Sequence, residues 1–148
     1  MNFTNITGGV TAPQGFIASG VYCGIRKNKQ KLDLAMIYAK GSCAAAAVYT
    51  TNKVKGAPLY VTQKNIADGY ARAVICNSGN ANTCNADGVE IAQKMCQLAA
   101  EELGIGVDEV IVASTGVIGQ PLPMEPIAKG IPQLAKNLSK AGGSAASE

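Results

Sequence analysis

RAVICN at residues 72–77 and EVIVAS at residues 109–114 are short apolar runs, and they decide the fold. Each has the length of a strand and leads into a polar or Gly-containing segment, which predicts a buried strand. Between them, Asp87–Glu90 (DGVE) fits a capping box, and apolar residues at positions 92, 96, 99 and 103 then recur at helical spacing until Gly104. A strand, a helix and a strand in this order predict an α/β layered domain.

The chain before these runs is predicted to be mainly β structure. GFIASGVY at residues 15–22 and LDLAMIYA at residues 32–39 read as two strands that a basic loop joins into a hairpin or meander. AAAAVYTT at residues 44–51 is ambiguous, because alanine favours helix while Val, Tyr and Thr favour strand. Its position between turn signals favours strand. A short helix over residues 63–68, ended by Gly69, is predicted next.

The chain after EVIVAS is predicted to be helical and then flexible. Pro121 and Pro123 break the chain, and residues 124–138 are predicted to form one or two short helices. We expect residues 1–138 to form a single α/β domain. Residues 139–148 are rich in Ala, Gly and Ser and have no anchoring side chains, which predicts a flexible tail.

The composition excludes several classes of function. The chain contains no histidine, so Ser-His-Asp catalysis, Cys-His catalysis and zinc sites of the Cys₂His₂ or HExxH type cannot reside on this chain alone. The net charge of +3 is too small to predict a nucleic-acid partner, and the one basic cluster, Arg26–Lys31, is expected in a solvated loop. No metal and no cofactor are expected on this chain.

The balance of apolar and charged residues predicts a partner. Only 16% of the residues are charged, against about 25% in an average soluble domain, which suggests that another chain covers part of the surface. The five cysteines are odd in number and contain no CxxC pair, which indicates reduced thiols and a cytoplasmic location. Met1–Asn5 lacks the features of a signal peptide, and no apolar run approaches the ~18 residues of a membrane helix.

The loop after the first buried strand is Asn77–Asn82 (NSGNAN), and it is a candidate for chemistry. Its three Asn side chains offer amide donors, and Gly79 allows a positive φ. The amides either orient a polar substrate or brace the wall of an active site, or they bond to the neighbouring backbone as Asx turns. The residue types alone favour the last interpretation.

The second candidate loop is Ser114–Gly119 (STGVIG). In α/β folds, ligands bind where a strand ends in a Gly-rich loop. The Gly116 N–H and the Thr115 hydroxyl are two neutral donors, which suit an oxyanion that forms during acyl transfer. Three alternatives stay open at this point: a phosphate loop, for which the GxxxxGK[ST] and GxGxxG patterns are missing, a simple turn, and a Thr nucleophile for which the sequence shows no base.

Several motifs occur along the chain in a fixed order: VTAPQGF at residues 10–16, DLA at 33–35, YTTN at 49–52, AP at 57–58, NSGNAN at 77–82, ASTGVIG at 113–119 and LPM at 122–124. This order resembles that of the ornithine acetyltransferase / glutamate N-acetyltransferase (ArgJ) family of arginine biosynthesis. The resemblance covers the chain up to about Leu138, and NSGNAN and STGVIG account for most of it.

The resemblance implies a fold and a mechanism. Members of the family are made as one precursor that cleaves itself before a Thr, which becomes the N-terminal nucleophile of the β chain with its own α-amine as the base. This Thr takes the acetyl group from N-acetylornithine and passes it to glutamate in a ping-pong reaction. The oxyanion hole of the family maps onto Thr115 and Gly116. The implied fold is a layered α-β-β-α architecture of the DmpA/ArgJ type, similar to the Ntn hydrolases and completed by the β chain, in a cytoplasmic α₂β₂ heterotetramer.

The sequence departs from the family pattern in ways that limit which residue roles of the family can be assigned to this chain. The self-cleavage motif, the nucleophile and a substrate-binding Thr and Lys are absent, which gives the expectation of an α chain truncated at its C-terminal end. After NSGNAN the family continues with an Ala-Cys-Thr-Gly-like run, whereas here Thr83–Gly88 reads TCNADG. Acetyl-CoA is a co-substrate only in bifunctional members of the family. A related self-processing amidohydrolase or aminopeptidase is the alternative function, and an anion-binding α/β module is a third.

Overall fold

A four-stranded sheet forms the centre of the computed structural model, which describes residues 3–148. The strands are β1 (Phe16–Val21), β2 (Leu34–Ala44), β3 (Tyr70–Asn80) and β4 (Val110–Val117), in the order β1-β2-β3-β4. β1 is antiparallel to β2 and β2 is antiparallel to β3, whereas β3 and β4 are parallel. The predicted hairpin and the predicted strand-helix-strand unit are both confirmed.

Four helices accompany the sheet: α1 (Ala57–Asn65), α2 (Gly88–Leu103), α3 (Met124–Asn137) and the short α4 (Gly143–Ser147). α2 connects β3 to β4, as a parallel strand pair requires, and it ends at Gly104 in the left-handed conformation (φ 65°). α3 is one helix although Pro132 lies inside it. The mixed α/β fold class predicted from the sequence is therefore confirmed.

One face of the sheet carries the hydrophobic core. Alternate residues of each strand point to this face, where they meet the apolar sides of α1, α2 and α3 in a single cluster. The fully buried members of the cluster come from every layer and include Met36, Ile75, Met95, Val110, Ile127, Ile131 and Leu134.

The opposite face of the sheet is apolar and only partly covered. Cross-strand pairs Ala35–Cys76 and Ile37–Val74, and the pairs Val74–Ile111 and Cys76–Ala113, form one continuous patch of half-buried side chains. We call these six residues the open face. α4 packs against β1 and β2 beside it, and a Cβ at Gly20 would lie 2.1 Å from the Ala145 carbonyl oxygen.

The outer edge of β4 is covered along half of its length by polar side chains of α1. The Thr62 hydroxyl donates to the Val112 carbonyl oxygen at 2.8 Å and accepts from the Val112 N–H at 3.1 Å. The Asn65 amide donates to the Val110 carbonyl oxygen at 2.8 Å. These bonds replace a neighbouring strand, because they satisfy edge groups that would otherwise be unpaired.

A buried carboxylate fixes the turn that follows β1. Asp33 is 2% exposed and accepts hydrogen bonds from the backbone N–H groups of Cys23 (2.6 Å), Gly24 (3.1 Å) and Arg26 (2.9 Å). Burial alone raises the pKa of a carboxyl group, but these bonds and one from the Cys23 thiol outweigh burial and hold the pKa of Asp33 below its ordinary value of 3.8.

Three local predictions are wrong. The strand predicted over residues 44–51 does not form: β2 ends at Ala44, the following residues lie outside the sheet, and Val48 is 99% exposed. The helix predicted over residues 63–68 begins earlier, with Pro58 in its first turn, and ends at Asn65. The Asp87 side chain makes no capping bond to α2.

Residues 139–148 differ from the expected flexible tail. Ser139 pairs with Ala18 of β1 through two backbone hydrogen bonds of 3.0 Å. The Lys140 ammonium donates to the backbone carbonyl oxygens of Thr11 and, at 2.8 Å, Pro13. Small residues allow this docking, since a Cβ at Gly142 would lie 1.8 Å from the Ala18 carbonyl oxygen. The Ala/Gly/Ser composition therefore serves close packing.

We predict that Asp33→Asn in the full-length protein lowers the free energy of unfolding by about 1–3 kcal/mol at pH 7, because an amide cannot accept three N–H donors as a carboxylate does. The lowered pKa of Asp33 means that its contribution is present above the ordinary carboxyl range and is lost as the pH falls through the lowered pKa. The gap between the melting temperatures of wild type and variant is therefore expected to narrow below about pH 4.

Asp87→Asn is the matched control, because Asp87 is exposed and makes no capping bond. It is expected to leave the melting temperature within about 1 °C of wild type. Equal effects of the two substitutions would contradict the role assigned to Asp33.

Candidate active site

Four strand ends meet at one end of the sheet. β3 and β4 are parallel and both end there, and the antiparallel pairing brings the end of β1 and the start of β2 to the same place. The structure thereby brings the two loops singled out in the sequence into direct register, with Ser78 opposite Thr115 and Gly79 opposite Gly116. Both motifs begin inside the strands, which run three residues further than predicted.

The Thr115 side chain lies on the same side of the sheet as the open face. It follows Ile111 and Ala113 at the two-residue spacing of a strand, and it lines a cleft of about 250 Å³ together with Ala35, Cys76 and Ser78. Thr115 is exposed, and its hydroxyl makes no hydrogen bond within residues 3–148. The hydroxyl is therefore free to donate to a bound group.

The Gly116 N–H lies on the outer edge of β4. Val112 points its backbone N–H and carbonyl to this edge, where Thr62 binds them. The alternation along a strand repeats this orientation at Ser114 and Gly116, beyond the reach of α1. The parallel register continues through Gly116 to Val117, and the Val117 carbonyl oxygen accepts from the Ala81 N–H on the other side at 2.9 Å.

Gly116 cannot be replaced without moving β3. Its φ of 133° lies in a region that favours glycine, and a Cβ there would lie 2.3 Å from the Gly79 carbonyl carbon. Gly79 also has a positive φ (101°), and a Cβ there would lie 2.9 Å from the Arg26 side chain. The two glycines therefore allow the turn after β1, β3 and β4 to pack against one another.

The Asn side chains of NSGNAN brace the site. Asn77, Asn80 and Asn82 are at most 5% exposed. Asn77 donates to the Asn80 carbonyl oxygen (2.9 Å), Asn80 to the Gln120 carbonyl oxygen (3.0 Å) and Asn82 to the Gly88 carbonyl oxygen (2.8 Å). Asn80 and Asn82 thereby connect the end of β3 and the segment after it to the chain after β4 and to the start of α2, as bracing requires. The predicted Asx turn is also present, because the Asn80 Oδ1 atom accepts from the Asn82 N–H at 2.8 Å.

Three buried polar atoms of the site have no hydrogen-bond partner within residues 3–148. They are the Asn77 Oδ1, Asn82 Oδ1 and Ser114 Oγ atoms. Ser114 faces a second small cleft between α1 and the NSGNAN segment, lined also by Gly56, Leu59 and Thr83. Thr83 is nearly buried and donates to the Ala81 carbonyl oxygen at 3.1 Å, whereas Cys84 is exposed.

Cysteine nucleophiles are not supported at Cys96, which is buried, or at Cys23 and Cys76, which are half-buried. Burial raises the pKa of Cys23 to about 12, and the neighbouring Asp33 carboxylate adds to the shift. Burial also raises the pKa of Cys96 to about 12 and raises the pKa of Cys76. Since the thiolate is the reactive form, these three side chains are unreactive near neutral pH.

Two residues of this site give only a weak signal in the sequence. Asp33 is a single charge in an apolar run, and Arg26 belongs to a basic cluster that is predicted to lie in a solvated loop. The structure places Arg26 half-buried in the cleft beside Thr115. Within residues 3–148, no group of three or more His, Cys, Asp or Glu side chains is placed to hold a metal ion, and no helix is long and apolar enough to span a bilayer.

Comparison with known proteins gives one consistent family. The chain is 47% identical over 139 residues to the arginine biosynthesis bifunctional protein ArgJ of Caldanaerobacter subterraneus subsp. tengcongensis, a match that covers 93% of this chain and 34% of the relative. It is 48% identical over 145 residues to the protein of the same name from Symbiobacterium thermophilum, covering 97% and 36%. The chain thus spans about a third of the length of these curated relatives.

Solved structures agree with the sequence relatives. The crystal structure of the arginine biosynthesis bifunctional protein ArgJ from Bacillus halodurans superposes with a TM-score of 0.86 at 42% identity, covering 94% of this chain and 73% of that one. Ornithine acetyltransferase from Mycobacterium tuberculosis, solved in complex with ornithine, gives a TM-score of 0.89 at 40% identity, covering 94% and 76%. The ArgJ family model matches residues 17–148. The motif order, the fold and these matches together show that this chain belongs to the ArgJ family.

Proposed function

We propose that this chain is the α region of an ornithine acetyltransferase and supplies its oxyanion hole. Two features at the end of β4 support this most directly: the Thr115 hydroxyl is exposed, and the alternation that turns the Val112 N–H outward also directs the Gly116 N–H to the outer edge. Neutral donors that are fixed before the reaction stabilise negative charge as it develops, which is the main requirement of acyl transfer.

In the proposed reaction, a Thr at the N-terminus of a companion β chain attacks the acetyl carbon of N-acetylornithine. The carbonyl electrons move to oxygen, and Thr115 and Gly116 donate to this oxyanion. The proton of the Thr hydroxyl passes through the α-amine of that residue to the leaving nitrogen, so that ornithine departs as a free amine and an acetyl ester remains. The amine of glutamate then attacks the ester and regenerates the Thr, and the same two donors stabilise the second oxyanion.

A second acetyl source follows from the relatives. The curated relatives are called bifunctional, and we include acetyl-CoA as a co-substrate of this protein on that ground. It reacts at the same Thr, with a thiol in place of ornithine as the leaving group. The five free cysteines of the chain fit a reducing cytoplasm as the place of these reactions.

The open face supports the proposal of a companion chain. Its six residues form an apolar sheet surface that α1, α2 and α3 leave bare, and Thr115 lies at its end. A second sheet packed on this face completes an α-β-β-α sandwich and brings its own residues to Thr115. We expect an interface well above the ~1,600 Å² of a standard complex, within an α₂β₂ assembly produced by self-cleavage of one precursor.

We predict that Thr115→Val lowers kcat for acetyl transfer from N-acetylornithine to glutamate by about 10²–10³-fold, because valine keeps the branched shape and removes the donor. Thr115→Ser retains a hydroxyl and is expected to keep most of the activity. Thr115 is exposed, so the melting temperature is expected to stay unchanged. The measurement is the steady-state formation of N-acetylglutamate by the full-length protein.

Two results would contradict this proposal. A kcat of Thr115→Val equal to that of wild type would show that the Thr115 hydroxyl is not part of the oxyanion hole. Release of free acetate at the same rate with and without glutamate would instead identify a self-processing amidohydrolase, which uses water as the acceptor.

We predict that Val74→Lys prevents assembly with the β chain, because it places a charge at the centre of the open face. After expression of the complete precursor, the two chains are expected to separate on gel filtration, or the precursor is expected to remain insoluble. Val89→Lys is the control, since Val89 is exposed on α2 on the other side of the sheet. Normal assembly of Val74→Lys would show that the open face is not the interface.

A further inference from the structure

Arg26 lies in the Thr115 cleft and is held there by the fold. Its backbone N–H donates to the Asp33 carboxylate at 2.9 Å, and its carbonyl oxygen accepts from the Tyr22 hydroxyl at 3.1 Å. Its aliphatic stem lies against Gly79, where a Cβ would come within 2.9 Å of the Arg26 Cγ atom. The start of this side chain is therefore fixed beside the residue that pairs with Gly116.

The guanidinium group of Arg26 is unpaired within residues 3–148, where it makes neither an ion pair nor a side-chain hydrogen bond. Asp33 also lines the cleft, but its oxygens are occupied by three backbone donors and the Cys23 thiol. Glu148 is the other acidic residue at the cleft. A cleft that holds a positive group without a partner favours an anionic ligand.

We propose that Arg26 binds the α-carboxylate of the amino-acid substrates, which deepens the proposed function and rests on it. In N-acetylornithine and in glutamate, the carboxylate is attached to the carbon that bears the reacting nitrogen. It therefore lies three bonds from the acetyl carbon. Arg26 and Thr115 line the same cleft of about 250 Å³, and the proposal places the carboxylate at Arg26 and the acetyl group at Thr115.

Arginine is suited to this role because its planar guanidinium offers two parallel donors to a carboxylate. The contact selects acetylated amino acids against acetylated amines that lack the carboxylate. It acts equally on the donor N-acetylornithine and on the acceptor glutamate, because both place the same group at the same distance from the acetyl carbon. Arg26 is in this proposal a specificity-determining residue.

The test compares Arg26→Gln, Arg26→Lys and Lys27→Ala in the full-length protein. Glutamine keeps the stem that contacts Gly79 and removes the charge, whereas Lys27 is an exposed neighbour of equal charge. We expect Arg26→Gln to raise KM for glutamate by about 10- to 100-fold with little change in kcat. Arg26→Lys is expected to be intermediate, and Lys27→Ala is expected to match wild type.

N-acetylputrescine is N-acetylornithine without its carboxylate. It distinguishes the loss of an Arg26–carboxylate contact from a general loss of activity in the Arg26→Gln variant. Its kcat/KM is expected to be the same in wild type and Arg26→Gln, so that the preference for N-acetylornithine falls by about 10- to 100-fold. An unchanged preference, or an equal loss with both donors, would overturn the proposal.

Direct binding keeps the test independent of turnover. Calorimetry with N-acetylglutamate is expected to give a Kd about 10- to 100-fold weaker for Arg26→Gln than for wild type. If wild type transfers no acetyl group, the proposed function fails, while this binding comparison still decides the role of Arg26. Equal affinity of the two proteins refutes that role.

Discussion

The close approach of β3 and β4 at Gly79 and Gly116 is the constraint on which the site depends. The two backbones pass so near each other that a Cβ at Gly116 would lie 2.3 Å from the Gly79 carbonyl carbon. This contact keeps the parallel register intact through Val117. The register in turn fixes where the Thr115 hydroxyl and the Gly116 N–H point. On its other side, Gly79 receives the turn that carries Arg26. One tight glycine pair thus sets the position of three candidate binding groups.

Polar side chains inside the protein hold this arrangement in place. Asp33 and the Asn residues of NSGNAN are nearly inaccessible to water. Asp33 is bonded to the turn after β1, Asn80 to the chain after β4 and Asn82 to the start of α2. Burial of such groups is costly unless their hydrogen bonds are made. The bonds that they make permit few alternatives, because any shift of the connected segments leaves further buried donors or acceptors unpaired. Their role is therefore to fix geometry at the strand ends.

The sequence supports the fold prediction most strongly where local signals and packing agree. The apolar runs that became β3 and β4, the periodicity of α2 and Gly104 at its end act locally, and each was predicted correctly. Residues 44–51 have a strand-like composition, yet β2 ends at Ala44 and the residues after it lie outside the sheet. The docking of Ser139 and Lys140 depends on contacts with residues more than a hundred positions away, and composition carries no information about such contacts.

The candidate site was predictable in part for the same reason. Thr115 and Gly116 belong to a motif that is contiguous in sequence, and the family resemblance made their assignment possible. Arg26 and Asp33 reach the site through pairing between β1 and β2 and between β2 and β3. A single charge in an apolar run, such as Asp33, indicates a carboxylate that needs partners, since an unpaired buried carboxylate is rare. This pattern identifies the residue, but it does not show which turn the carboxylate binds.

Side chains of α1 cover the outer edge of β4 over its first residues but not over its last ones, and this difference has a consequence for solubility. An exposed strand edge invites pairing with other chains and is a common starting point of aggregation. Here α1 blocks that edge as far as Val112, and only the last residues of the strand remain available. Such a short stretch offers too few backbone bonds to nucleate an intermolecular sheet. The same strand therefore combines the candidate site at its end with a body whose edge is covered by α1.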